Sequence, residues 1–275
     1  MAHQLRLFLL ALQFFTRIPV TGRLAQWVGF NTEMLRASSA YFPLVGALVG
    51  GLSAVVLLGF AAMLGLSHFG ALIAAALSAG FGLLITGAFH EDGLADVADG
   101  LGGSPERQRA LDIMRDSRIG AFGAAALGMA LLVKVLLLAQ LLLLLLAESQ
   151  ARTTLSLVLA VVASHSLSRL AALWLIALLP HVGDAATSKS KPLADQMPAS
   201  SLWIANLTCF MLLVCVFIEF NAIIFASIIA VPAGLAWCMM RWFKRRLGGF
   251  TGDCLGATQQ VCELGILLAF VAWLA

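Results

Sequence analysis

Apolar residues run through this chain in blocks of about twenty, separated by short polar stretches of uneven charge. Each block can cross roughly 30 Å of hydrocarbon as a helix. The pattern predicts seven spans, over residues 40–66, 70–89, 119–146, 153–179, 201–219, 222–240 and 255–275. The alternating ten-residue segments of a transmembrane barrel are absent. The fold class is therefore all-α, a polytopic integral membrane helical bundle forming a single transmembrane domain, residues 1–275. No soluble domain, internal repeat or low-complexity tail interrupts it. The opening stretch MAHQLRLFLLALQFFTRIP lacks an A-x-A-like cleavage site and reads as an amphipathic or re-entrant helix ended by Pro19.

Charge adds an orientation. Only 11% of residues are charged, against 61% hydrophobic, and mean hydropathy is +0.97. With the N-terminal segment on the cytoplasmic side, that side receives Arg6, Arg17, Arg23, Arg36, Arg107, Arg109, Arg115, Arg118, Lys189, Lys191, Arg241, Lys244, Arg245 and Arg246. Arg152 alone falls on the far side, while Lys134 and Arg169 lie within spans. The positive-inside rule selects this orientation. The far-side connections are tiny, so any site large enough for chemistry faces the cytoplasm, built from residues 1–39, 90–118, 180–200 and 241–254. The five cysteines form no C-x-x-C and fall mostly in apolar spans, as small buried hydrophobes do.

Residues 90–118 hold seven of the fourteen acids. Asp92, Asp96 and Asp99 follow i, i+4, i+7 spacing, which stacks them on one helix face. Gly100, Gly102 and Gly103 are expected to end that helix, and Ser104-Pro105-Glu106 to open another carrying Arg107, Arg109, Asp112, Arg115 and Asp116. Two carboxylates about 6 Å apart repel by about 3 kcal/mol at an effective dielectric near 20. No Lys or Arg interleaves them between residues 90 and 106, as it would on an ordinary solvated face. A divalent cation removes the conflict, and an all-oxygen donor set favours Mg²⁺ over Zn²⁺. Mg²⁺ is usually shared with substrate phosphates, which Arg115 and Arg118 suit. An ion or proton pathway and a purely structural acidic helix are the competing readings. His90 is either a ligand or base, or an anchor at the membrane edge.

The other polar pieces are less specific. Lys189 and Lys191, in HVGDAATSKSKPLAD, bind phosphate as point charges or merely obey the positive-inside rule. In RRLGGFTGDCLGATQQVCE, Thr251 or Asp253 is expected to cap the last helix, with Asp253 and Gln260 on one face and Glu263 nearby. Within the fourth span, His165 and Arg169 are i, i+4, and Arg169 needs a buried acidic or phosphate partner. Arg17, in FFTRIPV, sits where it meets phosphate or lipid headgroups.

Together FFTRIPV, FHEDGLADVADGLGG, IMRDSRIGAFG, SRLAA, GDAATSKSKPLA and GGFTGDCLGATQQVCEL resemble the cobalamin synthase family over about residues 5–270. The resemblance implies an integral protein of the bacterial inner membrane with adenosylcobinamide-GDP ribazoletransferase activity in late vitamin B12 nucleotide-loop assembly. Such enzymes join adenosylcobinamide-GDP to α-ribazole or its 5′-phosphate, release GMP and require Mg²⁺. The partners so implied are these small molecules and the lipid bilayer, with no nucleic acid; a homo-oligomer is compatible with it. On this reading Asp92, Asp96 and Asp99 are the main metal ligands, Glu91 or Asp116 completes the shell, and Asp96 accepts the ribose hydroxyl proton. Arg17, Arg115, Arg118, Lys189 and Lys191 contact substrate. The block E-D-G-L-A-D-x-x-D is also partly similar to the D-x-x-D-G-x-x-A-R of CDP-alcohol phosphotransferases, but no Arg follows Ala95. A cation-coupled transporter and a lipid-directed alcohol phosphotransferase are the rival functions.

Overall fold

A computed structural model describes residues 2–146, 151–182 and 197–275. Seven of its helices are long and apolar enough to cross a membrane, as the hydropathy pattern predicts. Numbered along the chain, these are α4 (Phe42–Leu64), α5 (His68–Thr86), α8 (Ala121–Leu146), α9 (Ala151–Leu178), α10 (Ala199–Glu219), α11 (Ala222–Leu247) and α12 (Gly252–Leu274). Shorter helices stand between them: α1 (Ala2–Phe15), α2 (Gly22–Val28), α3 (Thr32–Ser38), α6 (Phe89–Gly103) and α7 (Arg107–Met114). Among the described residues the only β pairing is an isolated bridge between His181 and Phe250.

The far-side turns are capped by their own sequence. Ser67 accepts from Gly70 N at the start of α5, and Asn221 accepts from Ile223 N and Ile224 N at the start of α11. The helix α1 ends before Pro19, where the Thr16 hydroxyl donates to Leu12 O and Arg17 N donates to Ile85 O at 2.6 Å. That bond ties the N-terminal segment to the end of α5. Its Leu7, Leu10, Ala11 and Phe15 are buried in the core cluster, so α1 is packed against the bundle along one face.

Helices in lipid gain little from hydrophobic exclusion of one another, so close backbone approach and polar contacts hold them together. Between α4 and α9, a Cβ on Gly46 would lie 2.5 Å from His165 O, and one on Gly50 would lie 3.0 Å from Val161 O. The polar contacts form one buried network. Lys134 on α8 pairs with Glu263 on α12 at 2.5 Å. Gln259 donates to the other Glu263 oxygen at 2.6 Å and to Ser168 on α9. Gln260 donates to Gln259 and to Glu91 on α6. Arg169 donates to His165 O at 2.8 Å. Each isolated charge in a span costs about 2.5–3.5 kcal/mol on insertion scales, and grouping two cations with two carboxylates offsets that cost.

Three boundaries differ from the sequence reading. The helix α11 runs on to Leu247, past the expected end at 240, so Arg241, Lys244, Arg245 and Arg246 ride on its last turns. Residues 87–89 turn and start a new helix instead of extending α5, because Gly87 and Ala88 both adopt left-handed backbone. The helix α7 starts at Arg107 with Glu106 as its cap position, not at Ser104. Ser104 has instead closed a local turn by accepting from Glu106 N, a competing use that Ser before Pro shares with capping.

Candidate active site

The acidic helix α6 is held against α12 by two glycines. A Cβ on Gly93 would sit 2.8 Å from Asp253 O, and one on Gly256 would sit 2.9 Å from His90 O. Only hydrogen fits at either position, so the helices meet backbone to backbone. Arg246 clamps the far end of α6 by donating to Leu101 O and Ser104 O at 3.2 and 2.5 Å. A cation at a helix C-terminus is favourable by charge as well.

This docking decides which carboxylates work together. Asp92 is exposed and Asp96 half-buried, and both line a cleft of about 190 Å³ walled by Ala88, Ser117, Ile119 and Leu127. Burial pushes the Asp96 carboxyl up to about 7, with Asp253, Asp92 and then Asp99 adding like-charge repulsion. Asp253 is thus the strongest acidic neighbour of Asp96, although it lies over 150 residues away in sequence. It is free of cap duty because Thr251 caps α12, accepting from Cys254 N. Spacing within residues 90–118 could not disclose this; the signal available was an unneeded acid beside Gly252 at the mouth of the last span.

The remaining acids are placed otherwise. Asp99, 8% exposed, accepts from Gly120 N at 2.7 Å and Gly123 N at 2.8 Å, using both oxygens at the N-terminus of α8. The sequence reading made it a metal ligand; its charge instead satisfies orphan donors and the helix dipole. Glu91, 5% exposed, turns into the bundle to Gln260 at 3.0 Å, while its Oε2 has no partner and the residue lines the inner wall of the cleft. Asp116 is committed to Arg118 by a forked contact, Oδ1 to Nε at 3.0 Å and Oδ2 to Nη2 at 2.5 Å. That pairing holds its carboxyl down to about 2 and corrects its assignment to the cation shell. Among the described residues no group of three or more His, Cys, Asp or Glu side chains is placed to hold a metal ion. Asp92 and Asp96 share the cleft and Asp253, which accepts from the Thr251 hydroxyl, repels Asp96, so the residues present fit only an ion that keeps several waters and takes one or two carboxylates.

The basic residues surround this cleft unequally. The Arg17 guanidinium lies over Gly87, where a Cβ would come within 2.4 Å of Nε, one residue from the cleft-lining Ala88. Arg115 is exposed beyond the end of α7, 3.7 Å from Asp112, and Arg118 is exposed beside Asp116. Lys189 and Lys191 lie outside the described residues. The chain leaves the described region after Val182, whose N donates to Phe250 O at 2.9 Å, three residues before Asp253. His90 is buried and stacks on Phe15 at 5.8 Å between centroids; burial first, and Arg169 next, push its imidazole well below its ordinary value.

Fold and site together define a seven-span helical membrane protein with a carboxylate-lined cleft at its basic end. The cobalamin-5-phosphate synthase family model matches residues 7–271, and the chain belongs to that family. The chain is 54% identical to the adenosylcobinamide-GDP ribazoletransferase of Albidiferax ferrireducens over the whole of both chains. Identity is 53% to that of Polaromonas sp. over 96% of this chain and 95% of the relative, and 42% to that of Vibrio cholerae over 99% and 95%. No solved structure matches. This protein is accordingly a transferase of cobalamin biosynthesis.

Proposed function

We propose that the protein joins adenosylcobinamide-GDP to α-ribazole or its 5′-phosphate at the cytoplasmic face of the bacterial inner membrane, forming adenosylcobalamin or its 5′-phosphate. A ribose hydroxyl oxygen bonds to the phosphorus on the corrinoid side of the diphosphate. The P–O–P bridge breaks and GMP leaves with the bonding pair. The observation that carries this reading is the cleft lined by Asp92 and Asp96, with Asp253 of α12 repelling Asp96 from behind its wall and Arg17 beside Ala88. Placement of fourteen of the seventeen Lys and Arg on that side supports the cytoplasmic orientation.

Asp92 and Asp253 would hold Mg²⁺, which when bound neutralises charge on the diphosphate oxygens. Asp96, lying between them and balanced near neutrality, takes the hydroxyl proton. Arg17 and Arg115 hold phosphate oxygens. Arg118 joins them only by exchanging Asp116 for phosphate, and Lys189 and Lys191, outside the described residues, are kept as further phosphate contacts on their charge alone. Asp99 and Glu91 orient α6 without touching substrate.

The test is product formation by purified protein in nanodiscs from the two substrates. Asp92→Asn and Asp96→Asn are each expected to lower kcat at least about a hundredfold while insertion and thermal midpoint are kept. Full turnover in both variants would refute the assignment.

A further inference from the structure

A second cavity lies on the other face of the first turn of α6. It is an aromatic slot walled by Phe14, Phe15, Phe42 and Phe89, with Ala172 of α9 and Arg169 on its lining. Arg169 is 3% exposed, and its Nε has no hydrogen-bond partner. A buried N–H left unpaired is costly, so an acceptor is missing. The network around it is already balanced, with Lys134 and Arg169 against Glu91 and Glu263. The missing partner is therefore a neutral acceptor and not an anion.

We propose that this slot receives the planar base of the acceptor nucleoside, a benzimidazole-type ring stacked among the phenylalanines, with its one unprotonated ring nitrogen accepting from Arg169 Nε. The inference rests on the reaction proposed above and places one of its substrates. The ring's flat apolar faces match the phenylalanine walls, and its single in-plane lone pair matches the single unpaired donor. The position also fits. His90 and Gly252 line the slot, and Asp92 and Asp253 follow within two residues on the same two helices. A base in the slot thus leaves its ribose directed at the carboxylates. The slot is narrow, about 40 Å³; at its mouth Phe14 is only partly buried and Phe89 is exposed, so entry of the base requires these two rings to rotate outward.

The experiment uses full-length protein in nanodiscs. Turnover is measured with α-ribazole and with an analogue in which the free ring nitrogen is replaced by C–H. Equilibrium binding of radiolabelled α-ribazole is measured separately. Ala172→Leu, which fills the slot, is expected to raise the acceptor KM at least tenfold with the donor KM within twofold. Phe14→Leu, a milder change at the mouth, is expected to raise it about threefold, and the analogue to raise it about tenfold in the wild type. Wild-type turnover with an acceptor KM indifferent to both substitutions and to the analogue overturns the assignment and leaves the slot to a lipid chain. Binding that Ala172→Leu abolishes, in a wild type that forms no product, upholds the slot and refutes the reaction.

Discussion

Asp99 is the place to divide a structural carboxylate from the proposed catalytic ones on the same helix. Its two oxygens accept from Gly120 N and Gly123 N, at the start of the 26-residue span α8. Asp99→Ala removes both bonds, leaves the buried Gly123 N–H unpaired and withdraws a negative charge from a helix N-terminus. Loss of a capping side chain costs about 0.5–2 kcal/mol, and the burial of this pair sets the expectation at the upper end, about 2 kcal/mol. Asp99→Asn keeps one acceptor oxygen and turns an amide N–H₂ towards the other donor, so about 1 kcal/mol is lost. At about 2–4 °C per kcal/mol for a chain of this size, the midpoints should fall by roughly 4–8 and 2–4 °C. A thiol-reactive dye reads this directly. Cys209, Cys254 and Cys262 are buried inside the bundle and are uncovered only on unfolding, whereas Cys215 and Cys238 lie on the outer faces of the spans α10 and α11 and are replaced by Ser for the assay. At a temperature where both variants are folded, Mg²⁺ half-saturation should match wild type. An unchanged midpoint in Asp99→Ala together with lost Mg²⁺ dependence would refute the capping role and restore Asp99 to the metal shell.

Lys134→Met leaves Glu263 as an uncompensated buried carboxylate and should cost about 3–5 kcal/mol; adding Glu263→Gln should recover more than half, read by the same dye assay. Gly93→Ala drives a Cβ against Asp253 O, which is backbone and cannot rotate away, so about 1–3 kcal/mol of stability and most activity should be lost. Because the Asp96 carboxyl is raised to about 7, it is neutral below that pH and adds a negative charge beside the proposed cation site only above it. Mn²⁺ affinity, measured by electron paramagnetic resonance, should be flat above pH 8 and weaken about threefold as pH falls through 7. A pH-independent affinity between 5.5 and 8 would show that Asp96 does not stand beside the cation.

What the sequence determined by itself is the number and position of the apolar spans and the end of the bundle at which the acidic residues gather. Hydrocarbon thickness sets span length, so twenty-residue apolar blocks gave all seven helices, and charge asymmetry marked the end that carries the cleft. Helical spacing placed Asp92 and Asp96 on one face, and hydropathy placed Lys134 and Arg169 within spans and marked Arg169 as a charge in need of a partner. Spacing could not reveal what each oxygen faces. Asp99 follows the same periodicity as Asp92 and Asp96, yet the start of α8 lies across it and takes both its oxygens. Glu91 adjoins Asp92, but one residue rotates it by 100° into the bundle and onto Gln260. Asp253 comes up against Asp96 only because Gly93 and Gly256 let α6 and α12 touch. Periodicity is local and one-dimensional, whereas a carboxylate's role depends on which donors, charges and solvent surround it, and those arrive from distant helices once the bundle has packed.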